Sequence, residues 1–156
     1  MRYILLIAIF CSNILLAQEL KIVADKFSAD EMKGISIFTG NVKIKKYHDE
    51  LNATKVTIYT DENNKPTKFI ALGNVSFKVE TEALAKYEGV AQKVVYLPLK
   101  KEYRFYGNVH LKQINERKEI LGDEVILNTI DGKANAKGLK KAPVIMIFDM
   151  KDEEKK

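Results

Sequence analysis

The residue types that carry most protein chemistry are sparse in this chain, and their spacing argues against an enzyme. His48 and His110 are the two histidines, 62 positions apart, and Cys11 is the single cysteine. Metal centres draw three or four His, Cys or carboxylate ligands from close spacings, so neither a metal site nor a cofactor is expected. The serines Ser12, Ser28, Ser36 and Ser76 lack the glycine-flanked setting that exposes a nucleophile on a sharp turn. Asp25, Asp30, Glu31, Asp49 and Glu50 could supply the facing carboxylates of a glycoside hydrolase. They fall in turns or beside lysines, and a solvated surface is the expectation for them. No phosphate loop or dinucleotide glycine pattern is present.

Charge excludes another class. Lys and Arg outnumber Asp and Glu by 26 to 21, but Arg2, Arg104 and Arg117 are the only arginines. Lysine lacks the bidentate fork used to read phosphates and bases, so no nucleic-acid partner is expected. Lysines are expected on solvent faces and guarding strand edges.

Pattern is richer than chemistry. Gly40-Asn41-Val42 returns as Gly73-Asn74-Val75 and Gly107-Asn108-Val109, at spacings of 33 (73 − 40) and 34 (107 − 73), the mark of a repeated structural unit. After each copy, apolar residues take every second place: Val42 and Ile44; Val75, Phe77 and Val79; Val109 and Leu111. That is the period of a strand with one wet face. A second signature alternates with the first: Ala24-Asp25-Lys26-Phe27, Ala53-Thr54-Lys55-Val56, Ala91-Gln92-Lys93-Val94 and, more loosely, Gly122-Asp123-Glu124-Val125. Asn and Gly in tandem tolerate positive φ, which suits a bulge or corner inside a long strand.

Three segments divide the chain. Residues 1–17 read as a cleaved signal peptide, with Arg2 as the positive start, an apolar run from Tyr3 to Phe10, and Ala17 before the cut. An uncleaved membrane anchor is the alternative, but that run falls short of the roughly 20 apolar residues needed to span. Cleavage leaves no cysteine and hence no disulfide. Residues 18–150 form one β domain, and residues 151–156 a charged tail. Asp61 to Pro66 is a hairpin loop, Thr81 to Tyr87 a loop or single turn too short for a stable helix, and Val144 to Phe148 a closing strand apolar on both faces.

Short strands separated by turn signals, with no useful amphipathic helix, point to an all-β fold. Two sheets folded over each other would enclose Leu20, Ile22, Phe38, Val42, Ile44, Val56, Ile58, Phe69, Val75, Phe77, Val94, Tyr96, Phe105, Val109 and Leu111. Alternation fits both a dry core and an apolar groove, and core is the commoner use.

The ordered series Leu20-Lys21-Ile22-Val23-Ala24-Asp25, Phe38-Thr39-Gly40-Asn41-Val42, Ala53-Thr54-Lys55-Val56, Leu72-Gly73-Asn74-Val75 and Tyr106-Gly107-Asn108-Val109 resembles the periplasmic bridge proteins of lipopolysaccharide transport, the organic-solvent-tolerance A-like family. The resemblance implies an open, twisted β-jelly roll whose apolar trough holds the acyl chains of lipid A. It implies a periplasmic location, head-to-tail self-association, and joining of inner-membrane and outer-membrane transport components by strand addition. Carried onto this sequence, it makes Leu20, Ile22, Phe38, Val42, Ile44, Phe69, Val75, Phe77, Tyr96 and Phe105 the expected lipid-binding positions. The edges expected to bind partners are Leu20, Ile22 and Ala24 at one end and Val144, Met146 and Phe148 at the other. An inner-membrane-anchored relative and a carbohydrate-active β-scaffold enzyme are the competing readings.

Overall fold

The computed structural model describes residues 19–139 and 142–150; the signal peptide and the charged tail expected from the sequence lie outside them. Ten strands follow in chain order: β1 (Leu20–Val23), β2 (Lys26–Asp30), β3 (Ile35–Lys46), β4 (Asp49–Thr60), β5 (Pro66–Glu80), β6 (Lys86–Leu97), β7 (Glu102–Gln113), β8 (Lys118–Asn128), β9 (Ala134–Lys137) and β10 (Ile145–Phe148). All pairings are antiparallel. They make one continuous sheet in the order β1-β3-β4-β5-β6-β7-β8-β10, with β2 also on β3 and β9 also on β8. The fold is thus an all-β jelly roll, open at both ends. It differs from two separate sheets because the long strands run through both layers.

The repeats make this possible. The ladder register slips between Thr39 and Val42, between Leu72 and Val75, and between Tyr106 and Val109, where the three Gly-Asn-Val copies lie. Gly40 and Asn41 have φ of 80° and 45°, Gly73 and Asn74 of 84° and 44°, Gly107 and Asn108 of 76° and 46°. Two successive positive φ values suit Gly and Asn and strain most other residues. The second signature supplies the facing residue. A β-carbon on Gly40 would stand 2.5 Å from Asp25 Oδ2, and one on Gly73 would stand 2.6 Å from Thr54 Oγ1; on Gly107 it would overlap Gln92 Oε1. Asn41 Nδ2 donates to Asp25 Oδ2 at 3.1 Å. The two alternating signatures therefore meet along one crease, which bends the sheet into two facing arms.

Each arm presents an apolar inner row. In the first arm Ile22, Ile44, Leu51, Phe77, Gly89, Leu111, Ile120 and Met146 stand side by side. In the second arm the row is Phe27, Phe38, Val56, Ala71, Val94, Phe105, Val125 and Ala136. The outer face of the first arm carries Lys45, Glu50, Lys78, Glu88, Lys112 and Glu119 on successive strands, opposite charges at each step, which favours this pairing over its slips. The lysines thus sit on the wet face, as the alternation indicates.

Candidate functional site

The arms do not close evenly along the sheet. At the crease and toward β8 the interior is sealed: Val42, Val56, Val75, Phe105, Val125 and Leu127 are fully buried. Phe77 from the first arm stacks on Phe105 from the second, centroids 4.2 Å apart. The loop tips are also stitched there. Glu82 N–H donates to Thr129 O at 2.8 Å, Thr129 N–H donates to Lys101 O at 2.9 Å, and Lys101 Nζ pairs with Glu82 Oε1 at 2.6 Å.

Toward β1 the arms stand apart around a half-open cavity of about 310 Å3. Its walls are apolar: Leu20, Ile44, Leu51, Phe77 and Val79 on the first arm, Pro66, Phe69 and Tyr96 on the second. Phe69 and Tyr96 lie 5.8 Å apart and Tyr96 stacks on Tyr103 at 4.4 Å, giving one wall an aromatic lining. Lys46 and Lys65, from opposite arms, also border the cavity.

One polar pair lies within this apolar space. Tyr103 Oη donates to Asp49 Oδ2 at 3.0 Å, and Glu80 N–H donates to Asp49 Oδ1 at 2.9 Å. Burial pushes the Asp49 carboxyl above its ordinary value, against the lowering effect of these two hydrogen bonds and of Lys46 nearby. Burial also pushes the Tyr103 phenol well up, and the Asp49 charge adds to the shift. Asp49 is therefore not the solvated surface carboxylate expected from the sequence. It opens β4 pointing inward because its neighbour Glu50 points outward to Lys45, 3.7 Å away. Both residues border the cavity, but as strand neighbours their side chains leave opposite faces, so Asp49 and Glu50 do not form a facing carboxylate pair.

The expected lipid-binding residues divide three ways. Leu20, Ile44, Phe69, Phe77 and Tyr96 line the cavity; Ile22 and Phe38 are partly buried against the core; Val42, Val75 and Phe105 lie in the sealed interior. Of the expected edge residues, Leu20 and Ile22 sit in β1 and Met146 and Phe148 in β10. Ala24 falls instead in the kink between β1 and β2, and Val144 just before β10. The kink follows from the crease, where Asp25 N–H donates to Gly40 O rather than extending either short strand. Asp49 and Tyr103 carried no sequence signal as a pair, being 54 positions apart.

The family model described as the LptA/(LptD N-terminal domain) LPS transport protein matches residues 21–133, most of the chain and nearly the whole folded sheet. This chain belongs to the LptA/LptD N-terminal domain family. Membership places it among transport proteins of lipopolysaccharide (LPS). By sequence alone no curated protein matches it. Among solved structures, a similar one is that of LptH from Pseudomonas aeruginosa, described as the LptA-homologous periplasmic component of the conserved lipopolysaccharide transport device. The two share 15% identity at a TM-score of 0.75, over 85% of this chain and 96% of that one. At that identity the likeness concerns the fold, the same LptA-like jelly roll.

Proposed function

We propose that the mature chain is a soluble periplasmic LPS-binding protein that shelters the acyl chains of lipid A in the cavity near β1 and bridges inner-membrane and outer-membrane transport components by end-to-end strand addition. The single observation that carries this reading is the cavity: apolar walls, an open side, and a bordering lysine from each arm. Exposing acyl chains to water costs about 0.8 kcal/mol per CH2, so an amphiphile crossing an aqueous space needs continuous apolar shelter. The two bordering lysines suit the phosphates of lipid A, which would remain in water while the tails enter. Shelter of this kind needs no catalytic group.

The edges support the bridging part. Eight strands side by side in each arm cover roughly 35 Å at about 4.8 Å spacing, too little for one copy to join two membranes. Among the described residues the outer edges of β1 and β10 have no strand beside them, and Ile145, Met146, Ile147 and Phe148 of β10 are each about half-exposed. Direction also fits. β1 is antiparallel to β3 and β10 antiparallel to β8, with an even number of antiparallel steps between β3 and β10, so β10 of one copy set beside β1 of the next continues the antiparallel alternation. Such addition satisfies backbone groups that are a liability when bare.

The test is mass spectrometry under non-denaturing conditions on protein recovered from the periplasm. An adduct with the mass of LPS, or its lipid A portion, is expected on a chain that begins near Gln18. Recovery of the chain only in the membrane fraction, with its N-terminus retained, or as lipid-free protein from LPS-replete cells, would overturn the proposal.

A further inference from the structure

The cavity has one open side and one blocked end, and the block is polar. On its near side lie Leu20, Ile44, Leu51 and Phe69. Beyond Tyr103 come Phe105, Val125 and Leu127, none of them accessible. Tyr103 belongs to the second arm and Asp49 to the first, so their 3.0 Å bond ties the arms together where groove gives way to core. Phe77 of the cavity wall stacks on the inaccessible Phe105, which in turn stacks on Tyr103 at 6.0 Å.

Packing alone would be served better by other residues. A phenylalanine and an aliphatic side chain would occupy the same place without burying a carboxylate, and apolar replacements for buried polar pairs are often neutral or stabilising. What the polar pair adds is a directional link between two arms at a set separation. We propose that the Tyr103–Asp49 bond is the inner stop of the groove and sets the length of acyl chain that one copy can shelter. This rests on the acyl-binding reading above. It makes Tyr103 and Asp49 specificity-determining residues whose role lies in holding the arms at that point.

The experiment measures affinity against chain length. Alkyl maltosides of increasing length are neutral and have one tail, so titrating them below their micelle concentrations into the mature protein, by calorimetry, reads the groove alone. Each added methylene that enters an apolar site tightens binding about fourfold. The wild type is expected to gain at that rate and then level off at one length. Tyr103→Phe keeps the ring and loses the donor; its affinity is expected to keep rising over several further methylenes. Asp49→Ala removes the other partner and is expected to do the same, whereas Tyr106→Phe, on the outer face beside Lys93 and outside the cavity lining, should level off with the wild type. Thermal melts identify any variant that has lost its fold.

A common plateau for wild type, Tyr103→Phe and Asp49→Ala overturns the stop and leaves the shelter standing. A wild type whose affinity never levels off also overturns it, without need of any variant. No binding of any alkyl chain by any form removes the groove reading itself, and the stop with it.

Discussion

Thr54 lies over Gly73, donating its hydroxyl to Gly73 O at 3.2 Å, where a β-carbon would stand 2.6 Å from Thr54 Oγ1. Asp25 stands equally close over Gly40 and Gln92 over Gly107. One motif supplies the bend and the other the residue that fits against it, so the crease is defined by contacts between neighbouring strands rather than by either motif alone.

Gly73→Ala should therefore lower stability by about 1–3 kcal/mol, combining backbone strain at φ of 84° with the clash on Thr54. Gly132 provides the control: its φ is 70°, yet nothing lies within 4 Å of an added β-carbon. Urea denaturation of Gly132→Ala should show the smaller loss. Equal losses would mean that the Thr54 contact contributes nothing.

Core and groove should respond differently to truncation. Phe105→Ala opens the sealed interior and should cost about 3–5 kcal/mol. Phe69→Ala, at a partly exposed cavity wall, should cost markedly less while weakening alkyl-chain binding. Denaturation paired with calorimetry separates the two effects, and a Phe69→Ala loss as large as that of Phe105→Ala would place Phe69 in the core.

The Asp49 carboxyl, raised mainly by burial, holds its proton more tightly in the folded chain than its ordinary value of 3.8. The contribution of such a group to stability is complete below 3.8 and is lost as pH rises through the raised folded value. Asp49→Asn keeps a polar partner for Tyr103 and removes the titration. The melting temperature of wild type should accordingly fall relative to Asp49→Asn as pH rises from 3.8 through the raised folded value, and the difference should be constant below 3.8. A difference that grows toward acid pH would reverse the sign and refute the burial account.

Strand addition should be sensitive to charge on β10. Ile145 and Ile147 lie on the outer face of the first arm, beside Leu121 and Glu119, each about half-exposed. Ile145→Glu combined with Ile147→Glu should leave the melting temperature within a few degrees of wild type and shift sedimentation from end-to-end oligomers to monomer. Oligomers that persist unchanged would exclude β10 as the joining edge.

The crease was readable in advance because its cause is local: Gly-Asn tolerates two positive φ values, and the spacing of the copies places them at matched heights on alternate strands. The inward parity of Phe69, Val75 and Phe77 was readable for the same reason, since a strand has a period of two. Which inward residues end in a sealed core and which line a cavity was not. That depends on how far the arms part, and the parting is decided by contacts such as Tyr103–Asp49 and Glu82–Thr129 between loops and strands remote in sequence. Asp49 looked like a surface residue because it follows the Tyr47-His48 turn. Its burial depends on Tyr103, 54 residues on. A continuous sheet was likewise hidden, because alternation reads the same whether a strand stays in one layer or bends into two.

On the proposed function, acyl chains occupy the space between Leu20 and Tyr96. A photo-crosslinking residue at Phe69, compared in living cells with the same residue at the outward positions Lys43 and Lys78, tests this most directly. LPS trapped at Phe69 and absent from Lys43 and Lys78 is the expected result. Trapping that is equal at all three positions, or absent from Phe69, would contradict the account.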